Sequence, residues 1–258
     1  PGVIGVSEIY DPSTGYIYAT NFMSNVIYAI NPNTDKVVKV MPTLCFPEFL
    51  AYKDGYLYVT SFSQRLAEEN PCNYKILWND SFYNTFDVLF NTKYCLLYVT
   101  NEYCNIYVVN ATTGSTVSSI TVPGETKFLV CNPQTGYVYV IDNDSHSISV
   151  INGTKVVATI NSKYEITSMA IINGYLYAGE VIAKGESCPH IAIINLNNNK
   201  VVGNITLSKY PTYIAYSDGL LYVTGIESQL PPFNSTLYLF NTTNNEMVAS
   251  VNVLSLIH

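Results

Sequence analysis

A chain of 258 residues in which 48% are hydrophobic and 12% charged can bury one large core, and a net charge of −7 offers no basic field for phosphates, so nucleic acid is not an expected partner. Surface polarity has to come from uncharged groups, since 27 asparagines outnumber the 19 aspartates and glutamates combined. No apolar run approaches the roughly 18 residues of a membrane span, so bilayer insertion by these residues is not expected.

The chain opens at Pro1 without Met or an apolar leader, as either a processed form or an artificially trimmed one would. The first apolar stretch ends at Tyr10, and Asp11-Pro12-Ser13-Thr14-Gly15 turns it into Gly15-Tyr16-Ile17-Tyr18-Ala19. Versions of that segment return as Gly55-Tyr56-Leu57-Tyr58-Val59, Cys95-Leu96-Leu97-Tyr98-Val99, Gly136-Tyr137-Val138-Tyr139-Val140, Gly174-Tyr175-Leu176-Tyr177-Ala178 and Gly219-Leu220-Leu221-Tyr222-Val223. The markers Tyr18, Tyr58, Tyr98, Tyr139, Tyr177 and Tyr222 recur about every forty residues, the period of propeller blades. Asn-Gly and Asp-Gly before the marker strand favour tight hairpins, which pairs it with the strand before. A third apolar strand ends each time in Asn, at Asn31, Asn70, Asn110, Asn152, Asn195 and Asn241, where the side chain can start a turn. A fourth strand follows, from Lys36-Val37-Val38-Lys39-Val40 in the first repeat to Met247-Val248-Ala249-Ser250-Val251 in the last.

Four strands repeated six times predict an all-β fold, a six-bladed β-propeller of four-stranded antiparallel blades in a single domain, 1–258. The blades fall at approximately 1–42, 43–84, 85–123, 124–162, 163–208 and 209–258. In blade 2 the third strand reads Arg65-Leu66-Ala67-Glu68-Glu69, polar enough to predict an irregular or exposed segment. Blades 5 and 6 carry long insertions, Glu180 to Pro189 and Ile226 to Ser235, and loops on a rigid scaffold are common binding elements.

Tyr98-Val99-Thr100-Asn101 is the tetrapeptide that names the YVTN β-propeller repeats, and Ser147 to Ile160 is similar to the second half of that repeat. The resemblance covers almost the whole chain. It implies a surface-layer or secreted protein, often archaeal, that binds or displays rather than catalyses. Two departures stand out: the third strand ends in Asn where the family usually has Asp, and six blades are counted where seven are common.

Seven N-glycosylation sequons start at Asn79, Asn110, Asn143, Asn152, Asn204, Asn234 and Asn241, and all but Asn204 fall in predicted turns, loops or strand ends. N-linked glycans are therefore expected if the protein lies outside the cytoplasm. Blade 1 has no sequon and would be the largest bare patch. Six cysteines suit an oxidising compartment and lack the short spacings of a zinc site. Cys95 and Cys131 flank equivalent turns in adjacent blades and form the favoured disulfide, while the pairing of Cys45, Cys72, Cys104 and Cys188 stays open.

For an enzyme, the strongest candidates are Glu8, Glu48 and Asp87 near the starts of inner strands, with Lys127 at a similar place. Resemblance to six-bladed lactonases and sugar dehydrogenases would make those carboxylates metal ligands in the channel. They do not share one register, which favours solvated charges. Asp142-Asn143-Asp144-Ser145 has oxygen ligands for calcium but reads better as a turn, and His146, His190 and His258 are scattered. The expectation is a secreted or cell-surface glycoprotein with no catalytic role and no cofactor, a protein or glycan partner at the cell surface, and no metal. The alternatives are a metal-dependent hydrolase or dehydrogenase at the channel mouth, and a carbohydrate-binding propeller using the insertions.

Overall fold

The computed structural model describes residues 5–63, 65–72, 75–82, 84–181, 188–227 and 234–254, and the interiors of both long insertions lie outside that set. The fold is all-β, with six four-stranded antiparallel blades of a β-propeller and no helix among the described residues. Blade 1 runs β1 (Gly5–Asp11), β2 (Tyr16–Asn21), β3 (Val26–Asn31) and β4 (Lys36–Pro42), each paired with the next. Blade 2 is β5 (Pro47–Lys53), β6 (Tyr56–Ser61), β7 (Arg65–Asn70) and β8 (Lys75–Ser81). Blade 3 is β9 (Thr85–Asn91), β10 (Leu96–Asn101), β11 (Asn105–Asn110) and β12 (Thr116–Thr121). Blade 4 is β13 (Thr126–Cys131), β14 (Val138–Asp142), β15 (Ser147–Asn152) and β16 (Lys155–Asn161). Blade 5 is β17 (Glu165–Ile172), β18 (Tyr175–Val181), β19 (His190–Asn195) and β20 (Lys200–Thr206). Blade 6 is β21 (Tyr210–Ser217), β22 (Leu220–Ile226), β23 (Asn234–Asn241) and β24 (Glu246–Leu254).

Local chemistry sets these boundaries. Asp54-Gly55 and Asn173-Gly174 take positive φ at both residues (48° and 88°, 49° and 82°), the conformation that folds one strand tightly back on the next. In blade 3 the same place is filled by Cys95 at φ 54°, a left-handed conformation that a side chain with a Cβ adopts at some cost. The Asn ending the third strand starts a turn in five blades. The side-chain oxygens of Asn31, Asn70, Asn110, Asn195 and Asn241 accept the backbone N–H two residues on, each at 2.9 Å. In blade 4 that turn is shortened around Gly153, and Asn152 instead accepts the Tyr94 hydroxyl at 2.7 Å.

The chain packs as two compact units, Pro1–Val140 with Ile151–Val157, and Ile141–Val150 with Ala158–His258. In the first unit each member of the recurring Tyr-Val-Thr-Asn segment has its own task. Tyr98 is fully buried and its hydroxyl donates to the Gly153 carbonyl at 2.7 Å. Val99 packs with Leu97 and Val88 against Tyr58 and Leu66 of blade 2. The threonine latches neighbouring blades: Thr20 Oγ1 donates to the Glu48 carbonyl and Thr60 Oγ1 to the Phe86 carbonyl, both at 2.8 Å. The same hydroxyls accept from the first strand of their own blade, Thr20 from Ser7 N–H and Thr60 from Phe49 N–H, both at 3.1 Å. Asn101 accepts Tyr103 and Asn105 N–H, both at 3.1 Å, and so closes the next turn. Phe49, Phe86 and Phe128, from the first strands of blades 2 to 4, meet with ring centroids 4.8 to 5.9 Å apart.

The irregular third strand expected in blade 2 is instead a regular strand. Glu68 and Glu69 of β7 are only 7% and 5% exposed, and Glu69 accepts the Thr43 hydroxyl. Burial pushes the Glu69 carboxyl up to about 7, so a protonated acid is tolerated where polarity alone suggested solvent.

In the second unit Ile191, Ile193, Leu221, Val223 and Tyr238 build the core between blades 5 and 6. Tyr177 repeats the bridging role, donating to Asn245 Oδ1 at 3.0 Å. Blade 5 rearranges the latch. Gly179 stands where blades 1, 2, 3 and 6 have Thr and blade 4 has Ile141, and Thr167 of β17 supplies the hydroxyl instead, donating to the Pro211 carbonyl at 2.8 Å. A Cβ on Gly179 would lie 3.1 Å from Thr167 Oγ1 and 3.1 Å from Pro211 Cβ, a tight fit, whereas blade 6 holds a threonine at both equivalent places, Thr212 and Thr224, with their hydroxyls 2.8 Å apart. Tyr213 of β21 is 54% exposed.

Candidate functional site

The repeats differ most in chemistry at the fourth position of the recurring segment. Asn21 and Asn101 serve turn amides there, Ser61 accepts Ser63 N–H at 3.1 Å, and Asp142 accepts the hydroxyls of Ser149 at 2.6 Å and Ser147 at 3.2 Å. In blades 1, 3 and 4 the group serves its own hairpin, Ser61 of blade 2 also donates to the Cys45 carbonyl, and blade 6 has Gly225 there. Blade 5 places Glu180 at this position, 6% exposed, and its longer side chain reaches past the turn.

Glu180 Oε1 accepts the Ser162 hydroxyl at 2.6 Å, and Oε2 lies 2.7 Å from His190 Nε2. Antiparallel pairing of β18 with β19 sets Glu180 directly opposite His190, which is why residues ten apart in sequence meet. The other imidazole nitrogen, Nδ1, lies 3.3 Å from the Cys188 carbonyl. Ser162 also accepts Tyr164 N–H at 2.9 Å, and the Tyr164 ring stands edge-on to the imidazole with centroids 5.4 Å apart. Each polar group in this wall is thus held by at least one other, a fixed rather than adaptable surface.

The wall faces a cleft of about 210 Å³ with an apolar floor that includes Ile148, Ile160, Ile166 and Ala192, and with Asn204 among its lining residues. Ser162 donates to the carboxylate and not to the imidazole, so the serine–histidine contact of a hydrolytic triad is not formed.

No protein-family model and no curated protein matches this chain.

The acids singled out in the sequence do not converge. Ser7, Phe49 and Asp87 are equivalent, because each sends its N–H to the latch threonine of its own blade. Glu8 therefore lies one residue after that position, Glu48 one before, and Asp87 on it. Each of these first strands carries a register shift at this place, so the three acids hold three different positions along it. Both Asp87 oxygens are held by backbone amides, Oδ1 by Val88 N–H at 2.8 Å and Oδ2 by Leu129 N–H at 3.0 Å. Burial nonetheless pushes its carboxyl up to about 7 against those two bonds. Glu48 is also pushed up to about 7, by burial and then by the Glu102 carboxylate, and its Oε2 is buried without a hydrogen-bond partner. Glu8 is exposed, and Lys127, level with Glu48, is half-buried. Among the described residues no group of three or more His, Cys, Asp or Glu is placed to hold a metal ion.

The favoured Cys95–Cys131 disulfide is not formed, and both are free thiols. Each faces a different neighbour: Cys95 lines a cleft with Tyr58 and Phe90, whereas Cys131 packs against the core around Tyr98, where burial pushes its thiol up to about 11. Cys45, Cys72, Cys104 and Cys188 are free thiols as well. Residues 143–146 form a turn, and the Asp142 carboxylate beside them is directed at Ser147 and Ser149.

Of the sequon residues, Asn110, Asn152 and Asn241 end third strands and Asn143 sits in a turn. Asn234 opens β23, and Asn204 lies exposed within β20. Asn79, expected in a loop, falls inside β8. Asn110 and Asn241 use their side-chain oxygens in turns, whereas glycan attachment uses the nitrogen.

Proposed function

We propose that this protein is a secreted or cell-surface glycoprotein of the YVTN-repeat kind that binds an envelope component without catalysing a reaction, and that the blade-5 cleft is where it binds. The observation that carries this reading is Glu180: in place of the turn-closing group of blades 1 to 4 it forms a buried pair with His190 beside a cleft and next to a long insertion. The secreted and glycosylated character is supported by the sequons at turns and strand ends and by the uncharged, Asn-rich composition. A binding role fits a wall whose polar groups hold one another in place, because such groups orient a ligand. The divergent positions of Glu8, Glu48 and Asp87, and the backbone amides on Asp87, do not support the metal-dependent hydrolase.

The test is capture by envelope isolated from the producing cells, comparing the natural protein with a Glu180→Gln/His190→Gln double variant whose thermal unfolding is measured in parallel. The reading requires saturable capture that weakens at least about tenfold in the folded double variant. Undiminished capture by that variant would remove the cleft from the function.

A further inference from the structure

The chemistry of the cleft narrows what it can hold, granted that it is the binding site proposed above. Its polar wall is internally paired: the Glu180 carboxylate is met by His190 at 2.7 Å and by the Ser162 hydroxyl at 2.6 Å. A cationic ligand would have to displace His190 from a buried carboxylate and would meet Lys163, which also lines the cleft, and an anionic ligand would be brought against Glu180, so either charge meets a group of its own sign. A neutral ligand with several hydroxyls escapes both penalties. It can donate to the remaining lone pairs of Glu180 and bond the side-chain amides of Asn161 and Asn204, which line the same cleft.

Shape adds a second constraint. The floor of Ile148, Ile160, Ile166 and Ala192 and the Tyr164 ring offer apolar surface to the C–H face of a ring, while the polar groups lie to one side. At about 210 Å³ the space is smaller than the roughly 300–1,000 Å³ of drug-sized sites and suits one ring, not an extended chain. We infer that the blade-5 cleft binds a single neutral sugar ring, the terminal residue of a glycan carried by another envelope molecule.

Asn204 is itself a sequon residue on the cleft lining, so a glycan attached there is the competing source of the same chemistry. The test therefore uses Thr206→Ala, which removes that sequon and keeps the cleft side chains. Heteronuclear NMR would follow titration with glucose, galactose, mannose and N-acetylglucosamine, with glucuronate and glucosamine as charged counterparts. The expected result is saturable, millimolar binding of at least one neutral sugar, shifting signals of Tyr164, Ala192 and His190. The charged counterparts should bind about tenfold more weakly, and Tyr164→Leu should weaken the neutral sugar by up to about tenfold. If Tyr164→Leu does not fold, Asn161→Ala at the edge of the cleft serves in its place. Absence of neutral-sugar binding, preference for a charged sugar, or shifts confined to other blades would overturn the inference. Binding seen only in intramolecular form, with the natural protein's Tyr164 signals moving when Thr206 is replaced, would overturn the choice of an external glycan. Envelope capture that needs Glu180 and His190 but survives without sugar binding would remove the sugar and leave the proposed function standing.

Discussion

Burying carboxyl groups in blades 2 to 4 makes a pH dependence opposite to that of most proteins, and Glu69 isolates it. Its side chain is 5% exposed and accepts the Thr43 hydroxyl. Burial raises its carboxyl to about 7, and the hydroxyl offsets this only in part. Between about 4.3, where an unfolded glutamate titrates, and about 7 the native state holds a proton that the unfolded chain has lost. Stability from this group is therefore complete below the unfolded value and is lost as pH rises through 7. At about 1.4 kcal/mol per pH unit the loss is on the order of 3 kcal/mol by pH 8. Glu48, Asp87 and Asp142, raised by burial to about 7, 7 and 6, act in the same direction. Asp11 opposes them, because hydroxyl bonds from Tyr52, Ser13 and Thr14 outweigh its burial and hold its carboxyl below the usual range, so its contribution is lost on acidification. Urea unfolding at pH 4 and pH 8 reads the balance. The natural protein should be less stable at pH 8, and Glu69→Gln should recover on the order of 3 kcal/mol there while changing little at pH 4. A natural protein whose stability rises from pH 4 to pH 8, or a Glu69→Gln effect equal at both, would refute the reasoning.

Thr60→Val keeps the shape of the latch and removes its hydroxyl from the Phe86 carbonyl, and should cost about 1 kcal/mol in denaturant unfolding. Gly179→Thr alone should destabilise by about 1–3 kcal/mol by crowding Thr167 and Pro211, and combining it with Thr167→Ala should restore at least half of the loss in the same assay. In thiol labelling of the native protein, the exposed Cys45, Cys72, Cys95 and Cys188 should react within the fast phase, and Cys131 should react only on unfolding.

The blades were legible because their signals are local: the Tyr markers, the Gly and Asn turns and the closing Asn each act within a few residues. The latch was not, since Thr20 and Thr60 gain meaning only from a carbonyl about thirty residues ahead, in another blade. Blade 2 was misjudged at Glu69 because polarity stands for exposure only while a carboxyl remains ionised. The Glu180–His190 pair was hidden by the insertion between its members. Setting Tyr177-Ala178-Gly179-Glu180 beneath Tyr98-Val99-Thr100-Asn101 would have exposed the odd acid, and hairpin pairing would then have named the first residue of the third strand as its partner. Cys95 and Cys131 erred the other way: equivalent turns placed them alike along the blade but left their side chains facing different neighbours.

The most direct test of the account is amide hydrogen exchange on the protein with and without its captured envelope component. Protection should appear at the ends of β18 and β19 around Glu180 and His190, together with Ser162 to Tyr164. Protection confined to the first strands around Glu48 and Asp87, with blade 5 unchanged, would contradict it.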